Sequence, residues 1–216
     1  MNTVVKPIAK IRLEPGSLVT IEDVNWQDFE DILQELGEKR SSRIAYSKGN
    51  LEIMVPLPEH EKPKDIISDI VKILLKKMGK KYEPFGSTTF KQENIAGVEP
   101  DACFYIQNYQ VMINRRKLAS NDPPPDLAIE IDVTSQTKLE AYQALKVPEL
   151  WIYSNKMLNI YLLQNDNYVK SDYSPIFPHI PLSQIISDTI EKSWTVGTLQ
   201  ALEDFENEIN DLMENI

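Results

Sequence analysis

Residues 125–135 read Pro-Asp-Leu-Ala-Ile-Glu-Ile-Asp-Val-Thr-Ser. Pro123, Pro124 and Pro125 form a rigid lead-in that cannot continue a helix, and from Asp126 the chain alternates strictly. Leu127, Ile129, Ile131 and Val133 fall on one side of an extended chain; Asp126, Ala128, Glu130 and Asp132 fall on the other. That period of two predicts a strand over 126–133 with one apolar and one acidic face. No Lys or Arg interrupts the run. Carboxylates in a partly buried row push one another's pKa upward unless a cation sits among them. Two remedies stay open: the face is solvated, as in a half-exposed sheet, or it holds a hard divalent ion.

The flanking sequence supplies neighbours for this strand. Downstream, 136–145 predicts a short helix, and 149–153 with 158–163 a hairpin in which Trp151 and Tyr153 read as core. Upstream, an apolar strand over 101–106 opens with Asp101 directly after Pro100. Nearer the start, Trp26, Phe29, Ile32, Leu33 and Leu36 recur at helical spacing, with Thr20 as the expected cap and Gly37 as the stop. A hairpin over 42–46 and 50–55 turns at Ser47-Lys48-Gly49, a long helix follows over 59–80, and a strand over 86–91. Helical segments over 181–190 and 196–213 close the chain. The pattern predicts one α/β (α+β) domain with a mixed central sheet flanked by helices. Its expected organisation is an arm over 1–20, a single domain over 21–199 and an acidic C-terminal helix over 200–216.

With 216 residues, 42% hydrophobic and 26% charged, the chain has the size and composition of one globular domain, which buries roughly 70% of its surface. Cys103 is the sole cysteine, which excludes an internal disulfide and a cysteine-built zinc site and fits a reducing, cytoplasmic setting. No secretory leader stands at the start, and no segment approaches the roughly 20 apolar residues of a membrane span, so a soluble protein without a membrane partner is expected. The net charge of −10 argues against indiscriminate coating of nucleic acid. That charge is unevenly spread. Residues 38–81 carry eleven Lys or Arg against six acids, a net of +5, whereas 200–216 carry six acids and no base. The basic stretch reads either as a phosphate-facing surface or as a solvated lysine-rich helix face.

The joint pattern is sharper than its parts: Glu99-Pro100-Asp101 opens one strand, and 29 residues after Asp101 comes Glu130-Ile131-Asp132 on the next strong one. Residues 51–61 (Leu-Glu-Ile-Met-Val-Pro-Leu-Pro-Glu-His-Glu), 99–101, 125–135, Lys138 with Tyr142, and 147–153 (Val-Pro-Glu-Leu-Trp-Ile-Tyr) stand in this order over roughly residues 20–165. In that order and spacing the chain resembles the putative restriction endonuclease family of the PD-(D/E)xK superfamily. The resemblance implies a restriction-endonuclease-like core and a metal-dependent endonuclease that hydrolyses DNA phosphodiester bonds. It implies Asp101, Glu130 and Lys138 as catalytic residues. Mg²⁺ or Mn²⁺ would be held by Asp101, Glu130 and the Ile131 carbonyl, with Glu61 and Asp132 as further candidates. The chain departs from the superfamily pattern where a lysine usually follows the acid by two residues, since Asp132 stands there. Lys138, in the first turn of the next helix, matches the family's displaced lysine. Lys146 replaces a glycine usual in the family and reads as a surface charge.

Other residues have plainer readings. His60 reads as a helix-start residue, Glu52 as a mid-strand residue facing solvent, and Tyr142 as packing beside the site. Asp132 in the lysine position also supports a different class: a catalytically weak or inactive nucleic-acid-binding accessory module that keeps the fold. A third class is an interaction protein, since Phe205, Ile209, Leu212 and Met213 recur at helical spacing in the acidic tail and offer a face for a homodimer.

Overall fold

The structure, a computed structural model, describes residues 11–37, 40–86, 88–119, 121–131 and 136–214. In chain order the first elements are β1 (Leu18–Ile21), α1 (Trp26–Leu36), β2 (Arg43–Ser47), β3 (Asn50–Met54) and α2 (Pro58–Lys77). Short strands β4 (Glu83–Phe85), β5 (Phe90–Gln92), β6 (Ala96–Val98) and β7 (Ala102–Tyr105) follow, with the single turn α3 (Tyr109–Met112). The second half holds β8 (Leu127–Ile131), α4 (Gln136–Ala144), β9 (Glu149–Ser154), β10 (Met157–Gln164), β11 (Asn167–Ser171), α5 (Leu182–Val196) and α6 (Thr198–Glu214).

The strands form two sheets. The smaller is antiparallel throughout, in the order β1-β3-β2-β6-β5; the larger runs β11-β10-β9-β8-β7-β4, with β8 and β9 its one parallel pair. Antiparallel neighbours need only a tight turn, whereas the parallel pair needs a crossover, and α4 provides it. Hairpin turns at Lys48-Gly49, Asn155-Lys156 and Asn165-Asp166 each place both residues at positive φ, the geometry that matches strand twist. The Asn-Asp turn was the signal for β11, which the periodicity of the sequence does not otherwise announce.

Several expected boundaries move. The end of the segment expected as an arm forms β1, which pairs with β3 from Leu18 opposite Met54 to Ile21 opposite Leu51. Thr20 therefore does not cap α1: Asn25 does, its side-chain oxygen accepting from the Asp28 N–H at 2.9 Å. Of the strand expected over 86–91 only Phe90 and Lys91 are strand, in β5 of the small sheet; β4 of the large sheet ends before that range, at Phe85, and β6 appears where no strand was expected.

Strand β8 is buried along its whole length. Leu127, Ile129 and Ile131 face a core built with Ile67, Ile70 and Leu74 of α2 and Ile186 and Ile190 of α5. Phe205 and Ile209 of α6 complete that core, with Leu212 and Met213 packed against it, so the tail's apolar face is used within the chain. Ala128 faces a second core with Ala141 and Tyr142 of α4 and Val98 of β6. Helix α4 is thus wedged between the two sheets, packing Ala141 and Tyr142 with Ala45 and Val98 of the small sheet and with Ala128, Leu150 and Ile152 of the large one. A third core seats α1 on the small sheet, where Phe29 stacks on Tyr46 with ring centroids 4.7 Å apart. Trp151 and Tyr153 are buried, as expected. Among the described residues no helix is long and apolar enough to cross a membrane.

Two stability outcomes follow from this packing. A Cβ at Gly97 would stand 2.7 Å from Phe29 Cζ, so Gly97→Ala should destabilise the protein by about 1–3 kcal/mol in urea denaturation. Glu149, buried, accepts from Trp151 Nε1 at 2.6 Å. Burial pushes its carboxyl above the ordinary glutamate range, against hydrogen bonds from Ser174, Trp151 and the Ile176 backbone and the charge of Lys80. A raised folded pKa means stability that is full below the unfolded value and declines as pH rises through the folded one. Glu149→Gln keeps an acceptor for Trp151, and its melting temperature should decline less than the parent's as pH rises above the ordinary glutamate range.

Candidate active site

Residues 99–101 carry the chain from one sheet to the other. Glu99 follows β6 in the small sheet, Asp101 precedes β7 in the large one, and Pro100 between them has no N–H to continue either ladder. Both acids are anchored. The buried Glu99 carboxylate accepts from Arg40, from Thr89 Oγ1 at 2.5 Å and from the Ile44 N–H at 3.3 Å. Asp101 Oδ2 accepts from the Ile131 N–H at 2.9 Å.

Register then decides what Asp101 meets. Strands β7 and β8 pair antiparallel with Ala102 opposite Ile129, and one step further sets Asp101 opposite Glu130. Side chains so placed on one face have Cβ atoms roughly 4.5–5.5 Å apart, and like charges there repel. Two cations offset the repulsion. Lys138, in the first turn of α4, donates to Glu130 Oε2, and Arg43 Nε of β2 lies 3.8 Å from Asp101 Oδ1. Tyr142, one helical turn after Lys138, donates to Glu130 Oε1. Both Glu130 and Lys138 are buried.

Electrostatics follows from this enclosure. Burial pushes the Glu130 carboxyl up to about 8, against the charge of Lys138, and the neighbouring Asp101 charge adds to the rise. For Lys138, burial works to lower the pKa, but Glu130 and Asp101 outweigh it and hold the ammonium above the ordinary lysine value, with Arg43 opposing. The two directions pull apart, one toward a neutral acid and one toward a charged amine. Geometry favours the charged pair, because Oε2 faces an ammonium that can only donate. Two carboxylates and two cations leave the cluster formally neutral.

The structure therefore gathers Asp101, Glu130 and Lys138. The solvated alternative for the acidic face does not hold at Glu130, which is fully enclosed. Asp126 does different work at the other end of β8, accepting from the N–H groups of Ile106 at 2.6 Å and Gln107 at 3.0 Å. Asp132 lies outside the described residues. Glu61 pairs with Lys64 at the start of α2, and among the described residues no group of three potential metal-ligating side chains forms. Glu52 is buried rather than solvent-facing. Lys146 is half-exposed and pairs with Asp166 at 2.6 Å, a surface charge as expected. Sequence reading missed Arg43 and the bond from Tyr142 to Glu130. Tyr142 had a signal in its i+4 spacing from Lys138, whereas Arg43 had none, since its approach depends on how the sheets meet.

Carboxylate oxygens such as those of Asp101 and Glu130 are ligands of the kind Mg²⁺ or Mn²⁺ takes, one or two carboxylates at a time with water filling the remainder; in this structure both Glu130 oxygens are taken, by Lys138 and by Tyr142.

The family model described as "Putative restriction endonuclease" (Uma2) matches residues 26–196 of this chain. A solved structure, that of a putative nuclease belonging to DUF820 from Anabaena variabilis ATCC 29413, is similar with a TM-score of 0.49 at 18% sequence identity. It covers 71% of this chain and 90% of that one. No curated protein matches.

Breaking a buried pair costs more than deleting it, because the survivor is left charged without a partner. Lys138→Met should destabilise the protein by about 3–5 kcal/mol. Adding Glu130→Gln, which still accepts from Tyr142, should recover a large part of that loss. Urea midpoints of both single variants and the double one measure the coupling; simple additivity would refute it.

Proposed function

The chain belongs to the family of putative restriction endonucleases, and on that premise we propose that it is a Mg²⁺- or Mn²⁺-dependent endonuclease cleaving DNA phosphodiester bonds. The observation that carries this reading is the placement of Asp101 opposite Glu130, with Lys138 on the second of these carboxylates. Asp101 and Glu130, with the Ile131 carbonyl, would hold the ion. Bound there, it would polarise the phosphate and lower the pKa of a coordinated water.

The chain's own groups have separable tasks. The Ile131 N–H fixes Asp101, the Arg43 charge balances it, and Tyr142 holds the Glu130 oxygen that Lys138 does not take. Lys138, its proton held by two carboxylates, acts as a fixed cation and donor toward charge developing on the phosphate rather than as a base. Its displacement from strand to helix keeps it on the acid it serves, since α4 packs directly over this face.

A second reading, an accessory module without catalysis, is favoured by one observation: both oxygens of Glu130 already have partners. Two measurements separate the readings. Under the nuclease reading, Asp101→Asn and Glu130→Gln each lower Mg²⁺-dependent cleavage by more than the roughly 10–100-fold that loss of an outer-shell partner costs. Titration calorimetry with Mn²⁺ should show binding to the parent and none to Asp101→Asn. Absence of heat from the parent at millimolar Mn²⁺ would instead support the accessory module.

A further inference from the structure

The lysine-rich stretch expected to face phosphates is committed elsewhere. Lys62 donates to the Ser193 carbonyl at 2.9 Å and lies 3.9 Å over the Trp194 ring. Lys77 reaches Asn210 of α6 at 2.7 Å, and Lys80 donates to the Ile176 carbonyl at 2.8 Å. Lys64 and Lys72 pair with Glu61 and Asp69 on their own helix. These contacts tie α2 to the elements around it, and α2 packs on the face of β8 that carries Leu127, Ile129 and Ile131. Glu130 points from the other face. A phosphate held at Asp101 and Glu130 lies across the sheet from these lysines.

Different cations stand on the correct side. The antiparallel register of Ala45 with Val98, continued by the bond from the Glu99 N–H to the Ile44 carbonyl, sets Arg43 beside Pro100 and Asp101. Its side chain is 14% exposed, and its Nε, closed to solvent, has no hydrogen-bond partner. The 3.8 Å separation from Asp101 is too long for a hydrogen bond, so that contact is charge alone. The same side chain lines a groove of about 800 Å³ whose wall also includes α1, Thr88, Thr89 and the exposed Arg116. Among the other charges in the groove, Arg40 is matched by Glu99 and Lys91 by Glu30 at 2.9 Å, and Lys117 adds a further cation beside Arg116. Asp31 on α1 is held by Gln27 at 2.9 Å.

We infer that this groove is the track for the nucleic-acid backbone on one side of the reacting phosphodiester. Arg43 takes a phosphate oxygen beside Asp101, and Arg116 contacts the strand farther along. The inference rests on the nuclease reading for its substrate class. Its residues, however, are outside the proposed metal ligands. A guanidinium suits the task because its planar fork matches phosphate and keeps its charge at any working pH. Arg43 thus serves the resting site by balancing Asp101 and the loaded site by facing the substrate.

The test is binding of a labelled short DNA duplex in EDTA, followed by fluorescence anisotropy across a salt series, so that neither metal nor cleavage enters. Arg43→Gln and Arg116→Ala should each weaken binding and lower the slope of log affinity against log salt by about 1. Arg43→Lys should keep most of the slope. Lys72→Ala combined with Lys76→Ala, on α2, should leave it unchanged. Arg116 lies on an exposed loop, so its variant tests the groove even if Arg43→Gln folds poorly. Parental slopes in both arginine variants, or an equal loss in the α2 variant, would overturn the groove. Cleavage by Glu130→Gln is read separately: full activity there sinks the metal-site reading, whereas lost activity with unaltered slopes sinks only the groove.

Discussion

A carboxylate with no solvent exposure, Glu130, sits between two sheets, and the surrounding architecture answers its demands. Taking an ionised side chain out of water costs several kcal/mol unless charge and hydrogen bonds replace the lost hydration. Lys138 and Tyr142 do so from one helix, one on each oxygen. They reach Glu130 only because α4 is wedged between the sheets, and α4 lies there because it is the crossover joining the parallel strands β8 and β9. The parallel pair, the wedged helix and the buried acid are consequences of one arrangement. Burial also strengthens the coupling within the cluster, since charges held in a dry enclosure act more strongly on one another than the same charges in water.

The second requirement is that Asp101 arrive opposite Glu130 and remain there. Pro100 interrupts both ladders at the point where the chain leaves one sheet for the other, and the acids on either side of it are fastened separately. Glu99 is held by Arg40, Thr89 and the Ile44 backbone, all from the small sheet and its loops. Asp101 is held by the Ile131 backbone of the large sheet. The junction is therefore rigid where the proposed chemistry needs it, and the small sheet, with α1 clamped on by Phe29, serves as the support for that junction and as one wall of the groove beyond it.

Charge illustrates what a tally along the chain conceals. The excess of lysine over 38–81 is real, yet most of the α2 lysines with assigned contacts hold the helix to its neighbours or pair along it. Within that stretch it is two arginines that stand beside the acids, Arg40 on Glu99 and Arg43 near Asp101. Similarly, the acidic tail that offered a self-association face buries Phe205 and Ile209 in the chain's own core, leaving its charges outward.

Much of the site was legible in one dimension because strands and helices write their periods into the sequence. The alternation of 126–133 announced β8 and its two faces, Pro-Asp announced the start of β7, and the spacing of Lys138 and Tyr142 placed both on one side of a helix. The hairpin turns were equally readable from residues that tolerate positive φ, although the turn that launches β11 went unread. Local pattern could not say whether the acidic face was wet or enclosed. It could not separate Asp126, which closes a turn at one end of β8, from Glu130, which lies in the site near the other end. Nor could it bring Arg43 to Asp101, 58 positions away. Those outcomes depend on register between strands, on which sheet each short strand joins and on what packs over a face. Such relations are set by long-range packing, in which residues distant along the chain compete for the same buried surface. The sequence determined the longer strands and helices by their periods, and the family resemblance, not the period, singled out Lys138; the tertiary structure decided which charges share an enclosure.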